Sequence, residues 1–532
     1  MVEEVSRPPP ARFGQVHVDT RYEHEGYTMY LPQQQVTDMK PEKIEQTPSG
    51  KCDEVAITYA EVFPPEDNKA RFNDWPFALF FIVVLVGFTA VASLVLRSST
   101  RAYLQDGSIR YQGSSIIGPS NTNHVLLPFI TSIIALCFAG LGFILCQLFP
   151  AFFIYCGMII NLLTTFGIGL TFLLLNNWYA GVAFLALTLM GMWCYWSMRS
   201  RIPFSVFLLK TVGFAIKQMP QTLLVSLIGS LVGIVFSIVF STTIVATYME
   251  YGRVVCDVNG EDCSRSTLVG ILLCLFFCGF YISEVIRNVI HSTVSGAFGC
   301  WYYTSGSRRK GPRPRWPVMG SLKRAMTRSF GSICFGSLIV SIIETLGQLL
   351  RFIREGLQFE GDLDGCGSVG LFAINIIISF LEFSVRYFNH YAYCFITLYG
   401  KPYLKAARET WHMMKDKGFD ILINDNLINI ALGQYSLFAG YMSALCGCLY
   451  LHITRSDYNI LTDFNVSAVI ISFFIALQLC NITNETVRSG VSTFLVTLGN
   501  DPELFHVNYP RRFEEIFGSY PHVLNKMDHQ DV

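Results

Sequence analysis

Apolar blocks of about twenty residues recur along this chain between short polar connections, and nothing else in the sequence limits the fold as strongly. A bilayer core takes about 20 mostly apolar residues per helix, because backbone groups there have no water to bond. The blocks fall at approximately 76–96, 125–148, 151–175, 178–197, 221–248, 267–292, 330–350, 368–398, 427–452 and 465–486. The expected fold is all-α, a polytopic membrane bundle of about ten transmembrane helices. Composition agrees: of 532 residues, 52% are hydrophobic and 15% charged, against about a quarter charged in soluble domains. The 39 basic and 39 acidic residues balance, so the expected partner is the lipid bilayer and no nucleic acid.

Three regions follow. Residues 1–70 are polar and carry Pro8-Pro9-Pro10 and Gln33-Gln34-Gln35, the composition of a disordered tail. Residues 71–504 hold the ten-helix domain, and 505–532 form a C-terminal tail. Met1 to Val5 shows no basic or apolar signal-peptide region. Asp74 is placed to accept from the first-turn amides of the opening helix, with Pro76 tolerated just inside it. Phe149-Pro150 and Asn176-Asn177 are tight joints, each expected to turn an antiparallel pair. The segment 204–218 carries Lys210 and Lys217 and reads as an interfacial amphipathic helix rather than an eleventh span. Gly229, Gly233, Ser237 and Ser241 recur at four-residue spacing, a small-residue stripe suited to close helix packing.

Loop charge sets orientation. The 197–220 connection has four basic residues and no acidic one, 301–329 has eight and none, and 399–426 has five basic residues. The alternate loops 249–266 and 351–366 each hold two basic and four acidic residues. The basic loops are therefore expected in the cytosol, and with ten helices both termini are cytosolic too. Cys256 and Cys263 would lie outside, where a disulfide could join them, with Cys366 a rival partner. Asn465-Val466-Ser467 is a glycosylation sequon on the same side, expected unused because it abuts a helix.

The eighth block is the least like a lipid-facing helix. At about 100° per residue, Ser379, Glu382, Arg386, Asn389, Tyr393 and Thr397 fall on one stripe less than a quarter-turn wide. Ile377, Val385 and Phe388 lie opposite. A charge at the bilayer centre costs at least about 3 kcal/mol, so the stripe must face the bundle interior or water. The sixth block repeats the pattern with Tyr281, Glu284, Asn288, His291 and Ser295, with Arg287 at its edge. The seventh adds Glu344 and Gln348. Three helices thus bring a carboxylate inward at comparable depth. The fourth contributes aromatics, Trp178, Tyr179, Trp193, Tyr195 and Trp196.

The expected solute pathway is lined by Glu284, Asn288, Glu344, Glu382, Arg386, Asn389, Tyr281, Tyr393 and Trp193. A polar interior walled by aromatics suits a small organic cation. A quaternary ammonium donates no hydrogen bond, but aromatic faces attract it through their quadrupole, worth about 2 kcal/mol when desolvated. Protonation of a pathway carboxylate can couple transport to pH. The plainer reading is that Trp178 and Trp196 anchor the interface and that Glu382 with Arg386 is a structural ion pair in a membrane scaffold or regulatory protein. An intramembrane enzyme using His291 or His390 finds no support, since the sequence has no HExxH, no Gly-x-Ser-x-Gly and no phosphate-binding glycine loop. No cofactor or metal is implied.

Several stretches carry a resemblance. "LEFSVRYFNHYAYCFITLYGKPYLKAARETW" (381–411) resembles a segment of the choline transporter-like proteins, in which a Glu-bearing helix runs through Asn and Ala-Tyr to a Tyr-Gly before a cytosolic Ala-rich helix. "RSFGSICFGSLIVSIIETLGQLLR" (328–351) is similar to their Gly-Ser-x-x-x-Gly-Ser-Leu-Ile helix, "ETVRSGVSTFLVTLGNDPELF" (485–505) to their C-terminal signature, and "DWPFALFFIVVLVGF" to their opening helix. The likeness spans roughly 70–510. The 97–124 loop is short where many animal members carry a large glycosylated ectodomain, and Gly499-Asn500-Asp501 replaces the usual cysteine and second acid. Together with the long polar N-terminus, this resembles the fungal branch, the pH-nine-sensitive proteins. The resemblance implies ten helices, cytosolic termini, plasma-membrane residence and choline as a suggested substrate, and it transfers no binding residue.

Overall fold

The computed structural model describes residues 72–106, 109–111, 114–117, 122–254, 265–304, 316–360, 365–417, 419–453 and 463–517. They begin with α1 (Trp75–Asp106), an antiparallel hairpin of β1 (Ile109–Tyr111) and β2 (Ser114–Ile117), α2 (Thr122–Leu148), α3 (Pro150–Leu174) and α4 (Trp178–Met198). A 3-10 turn leads into α5 (Ile202–Gln218), then α6 (Gln221–Val254), α7 (Arg265–Thr304), α8 (Pro317–Met326) and α9 (Phe330–Glu360). The last elements are α10 (Gly365–Tyr399), α11 (Tyr403–Lys417), α12 (Phe419–Ile453), α13 (Asp463–Asn500), α14 (Pro502–Asn508) and α15 (Pro510–Phe517).

Each expected apolar block coincides with a long helix. Among the described residues, eight helical segments are long and apolar enough to cross a membrane, one of them running through α4 and α5. Helices α10 and α13 are as long, 35 and 38 residues, but carry ionisable groups through their middles. The molecule is a polytopic helical membrane protein. Its core is centred on α7 and α13: α13 packs along α12, α2, α7 and α6, while α9 and α10 pack along α7 and each other.

The joints behave as their residue types require. Pro150 sits in the first turn of α3, where no N–H is needed. Asn176 has a φ of 61°, a left-handed conformation Asn tolerates, and the Asn177 side chain accepts from the Ala180 N–H at 3.5 Å. This second joint folds α4 back along α3. The first does not make a closely packed pair, because α2 packs along α12 and α13 instead. On α6 the small-residue stripe is a packing surface: Gly229 lies under Ile290 of α7 and Gly233 under Ile482 of α13.

Asp74 accepts from the Phe77 N–H in the first turn of α1 through its backbone carbonyl at 3.1 Å, while its side chain acts elsewhere. Its Oδ2 accepts from the Ser332 hydroxyl at 2.6 Å and from the Tyr403 backbone N–H at 2.9 Å, so it caps α11 instead. Asn73 Nδ2 donates to the Gly400 carbonyl at 2.7 Å. The backbone passes so close to α9 that a Cβ on Gly331 would lie 2.3 Å from the Asp74 carbonyl oxygen. The segment before α1 is thereby fastened to the starts of α9 and α11.

Two short segments are more deeply engaged than their sequences suggest. Along α5, Ile202, Phe204, Leu208, Leu209, Val212, Ala215 and Ile216 are buried, and Lys210 and Lys217 lie on the exposed edge. The amphipathic reading of this helix holds, but protein covers its apolar face, since α2, α3, α12 and α13 pack on it. Helices α14 and α15 fold against the bundle: Phe505 stacks on Tyr302, Tyr509 on Trp301, and the Arg512 guanidinium lies over the Phe214 ring. Residues 505–517 are thus structured where a tail is expected. The expected N-terminal tail, Cys256 and Cys263 lie outside the described residues, and the side chains of Cys366 and Asn465 are likewise not described.

Candidate functional site

Helical spacing aims the acidic groups of three helices at one guanidinium. Arg386, midway along α10, hydrogen-bonds Glu284 of α7 and Glu344 of α9, and its Nη2 lies 3.2 Å from Glu382 Oε1 one turn earlier on its own helix. Glu284 also accepts from Arg287 Nη2 at 2.8 Å. Isolated ions in such a place would be expelled, because desolvation of each costs several kcal/mol. Here every carboxylate of the group has a cationic partner, and the Arg386 side chain keeps 27% exposure.

Toward the Tyr399 end of α10 the cluster gives way to a neutral floor. Asn288 Nδ2 donates to Ser337 Oγ at 2.9 Å and lies 3.3 Å from the Tyr393 hydroxyl. Asn389 Nδ2 donates to the Gly336 carbonyl at 3.0 Å, while its Oδ1 accepts from the Tyr403 hydroxyl at 2.5 Å. Asn288, Asn389 and Tyr393 are all buried.

Sequence reasoning missed the contribution of α12 and α13. Glu485 of α13 is buried and faces two histidines, 3.4 Å from His291 Nδ1 and 3.7 Å from His390 Nδ1. His291 Nε2 meets the His390 carbonyl at 2.9 Å. A carbonyl only accepts, so this nitrogen carries a proton. His291 Nδ1 lies 2.7 Å from Ser489 Oγ. These two histidines and Glu485 bring donor atoms within 4.8 Å of one another, a set zinc can accept. Both His291 nitrogens are committed to protein partners, however, and Arg488 lies 3.9 Å from Glu485, so the arrangement is better matched to a polar relay than to a dication.

A cavity of about 230 Å³ opens among these groups. Glu284, Arg287, Asn288, Arg386, Asn389 and Tyr393 line it together with Phe383, Tyr387, His390, Asn426, Asn429, Glu485 and Arg488. Its size lies below the roughly 300 Å³ at which drug-sized sites begin, which suits a small solute. Five expected pathway residues, Glu284, Asn288, Arg386, Asn389 and Tyr393, are on its wall. Glu344 and Glu382 stand behind Arg386 and set its charge environment.

Two expected residues are elsewhere. Trp193 is 73% exposed on the outer side of α4, which packs chiefly along α3. The aromatic wall comes instead from Phe383, Tyr387 and Tyr393 of α10. Tyr281 is fully buried but packs against Phe81 and Phe277 in the cluster beneath α1. It lies three positions before Glu284, which rotates it about 60° around α7 and away from the cavity.

A family model described as "Plasma-membrane choline transporter" matches residues 182–503, which include the whole cavity wall. Protein PNS1 of Candida glabrata is 52% identical over 480 residues, covering 89% of this chain and 86% of that one. Protein PNS1 of Saccharomyces cerevisiae is 51% identical over 480 residues, covering 89% and 88%. At greater distance, protein PNS1 of Gibberella zeae is 33% identical over 459 residues, covering 86% and 84%.

Proposed function

Since the chain belongs to the choline transporter-like family, with fungal PNS1 proteins as near relatives, we propose that its cavity is the binding station of a membrane transport route for a small organic solute, choline or a related amine. The observation that carries this reading is the meeting of Glu284, Glu344 and Glu382 at Arg386, beside a polar cavity inside an apolar bundle. A transporter needs ionisable groups where a solute can reach them without lipid contact. Phe383, Tyr387 and Tyr393 on the cavity wall supply the aromatic surroundings a quaternary ammonium favours. The family model's description supports residence in the plasma membrane, and the basic loops support cytosolic termini.

A scaffold or regulatory role is the second reading, favoured by one observation: Glu284, Glu344 and Glu382 are all already paired with arginine. Uptake of labelled choline by proteoliposomes separates the two. Transport predicts that Glu284→Gln and Glu344→Gln each cut the initial rate at least tenfold at unchanged protein yield. Wild-type vesicles that take up no choline or related amine, or variants that match wild type, would defeat the reading.

A further inference from the structure

We infer that the solute held in this cavity carries an anionic group, carboxylate or phosphate, beside its ammonium, and that Arg488 and Arg287 form the subsite for it. The inference rests on the transport reading and adds the substrate's charge pattern. Three guanidiniums line the cavity against two carboxylates. Their surroundings differ. Arg386 is matched by Glu284, Glu344 and Glu382. Arg488 has the charges of Glu485 and Asp425 near it, but the Glu485 Oε2 is 3.9 Å from its Nη1, beyond hydrogen-bonding distance.

The Arg488 Nε is buried on this wall without a hydrogen-bond partner. A buried donor left unsatisfied costs about 1–3 kcal/mol, and more on a charged group, so such groups mark a place where a ligand atom belongs. Arg287 spends one nitrogen on Glu284, and a guanidinium has five N–H donors in a fork that fits carboxylate or phosphate. A purely cationic solute would leave the Arg488 Nε without an acceptor. A zwitterion would place its acid between them and its ammonium against Phe383 and Tyr387.

The test is equilibrium binding to the purified full chain in detergent, with choline, glycine betaine and phosphocholine as probes. Glycine betaine or phosphocholine should bind at least tenfold more tightly than choline, and which of them wins identifies the acid. Arg488→Gln should erase that preference. Arg287→Gln carries the same comparison if Arg488→Gln fails to fold. Choline binding as tightly as both zwitterions, or a preference that survives the arginine substitutions, overturns the anionic subsite and leaves the transport reading standing. Binding of none of the three overturns both.

Discussion

Arg386 is the residue on which the charged interior turns. Its side chain faces Glu284, Glu344 and Glu382 from three helices. Removing one member of a buried ion group costs about 3–5 kcal/mol, because the partners stay behind uncompensated. Partial exposure puts Arg386→Gln at the lower end, about 3 kcal/mol. The apparent unfolding temperature in detergent should fall, and adding Glu344→Gln should restore part of the loss by removing one stranded charge. An unchanged midpoint for the single variant would show that water already screens the group. Trp193→Ala is the contrasting change: with its ring on the outer side of α4, it should leave choline flux within twofold of wild type in the vesicle assay. The stripe on α10 could be read from spacing because its charges interrupt an apolar block every third or fourth position. Glu485 could not. The block at 465–486 puts that acid at a helix end, where charge is ordinary, whereas α13 runs on to Asn500 and leaves it deep inside. Asn426, and buried Asp425, which accepts from the Tyr391 hydroxyl at 2.9 Å, are hidden in the same way by a block starting at 427, since α12 begins at Phe419.

At the scale of elements, the joins between helices are more specific than hydropathy reveals. Block positions follow from apolar runs, so all the long helices were legible. Which helices touch was not, because a small residue permits close approach without naming the partner. Gly331 illustrates this: its partner is the backbone at Asp74, and backbone cannot swing aside. Gly331→Ala should separate α9 from the start of α1 and cost about 1–3 kcal/mol, the usual range for overpacking. Asp74→Ala removes a cap from α11 and should cost about 1 kcal/mol. Both are measurable as falls in unfolding temperature, and a stabilised Gly331→Ala would contradict the observed approach. The aromatic residues of α4 show the reverse limit. Their number suggested a cavity wall, but composition does not say which way a helix faces, and α4 has neighbours on only part of its surface.

For the whole molecule, loop charge offers a check that needs no transport assay. The connection containing Arg308, Arg309 and Lys310 has eight basic residues and no acid, and such loops stay in the cytosol. A cysteine placed at Arg309 should react with a membrane-impermeant maleimide only after cells are permeabilised, scored as the increment over the unsubstituted chain. Labelling of intact cells would invert the bundle. Among the described residues, the buried floor of the cavity connects to distant parts of the chain. Tyr403 holds Asn389 by its hydroxyl, while its own backbone N–H is held by Asp74, 329 positions away in the sequence. The mooring at Asp74 and the base of the chamber therefore share one residue. Lowering that base by moving α11 must either part the Asp74 bond or carry the first helix along, so the two far-separated stretches travel as a single lever.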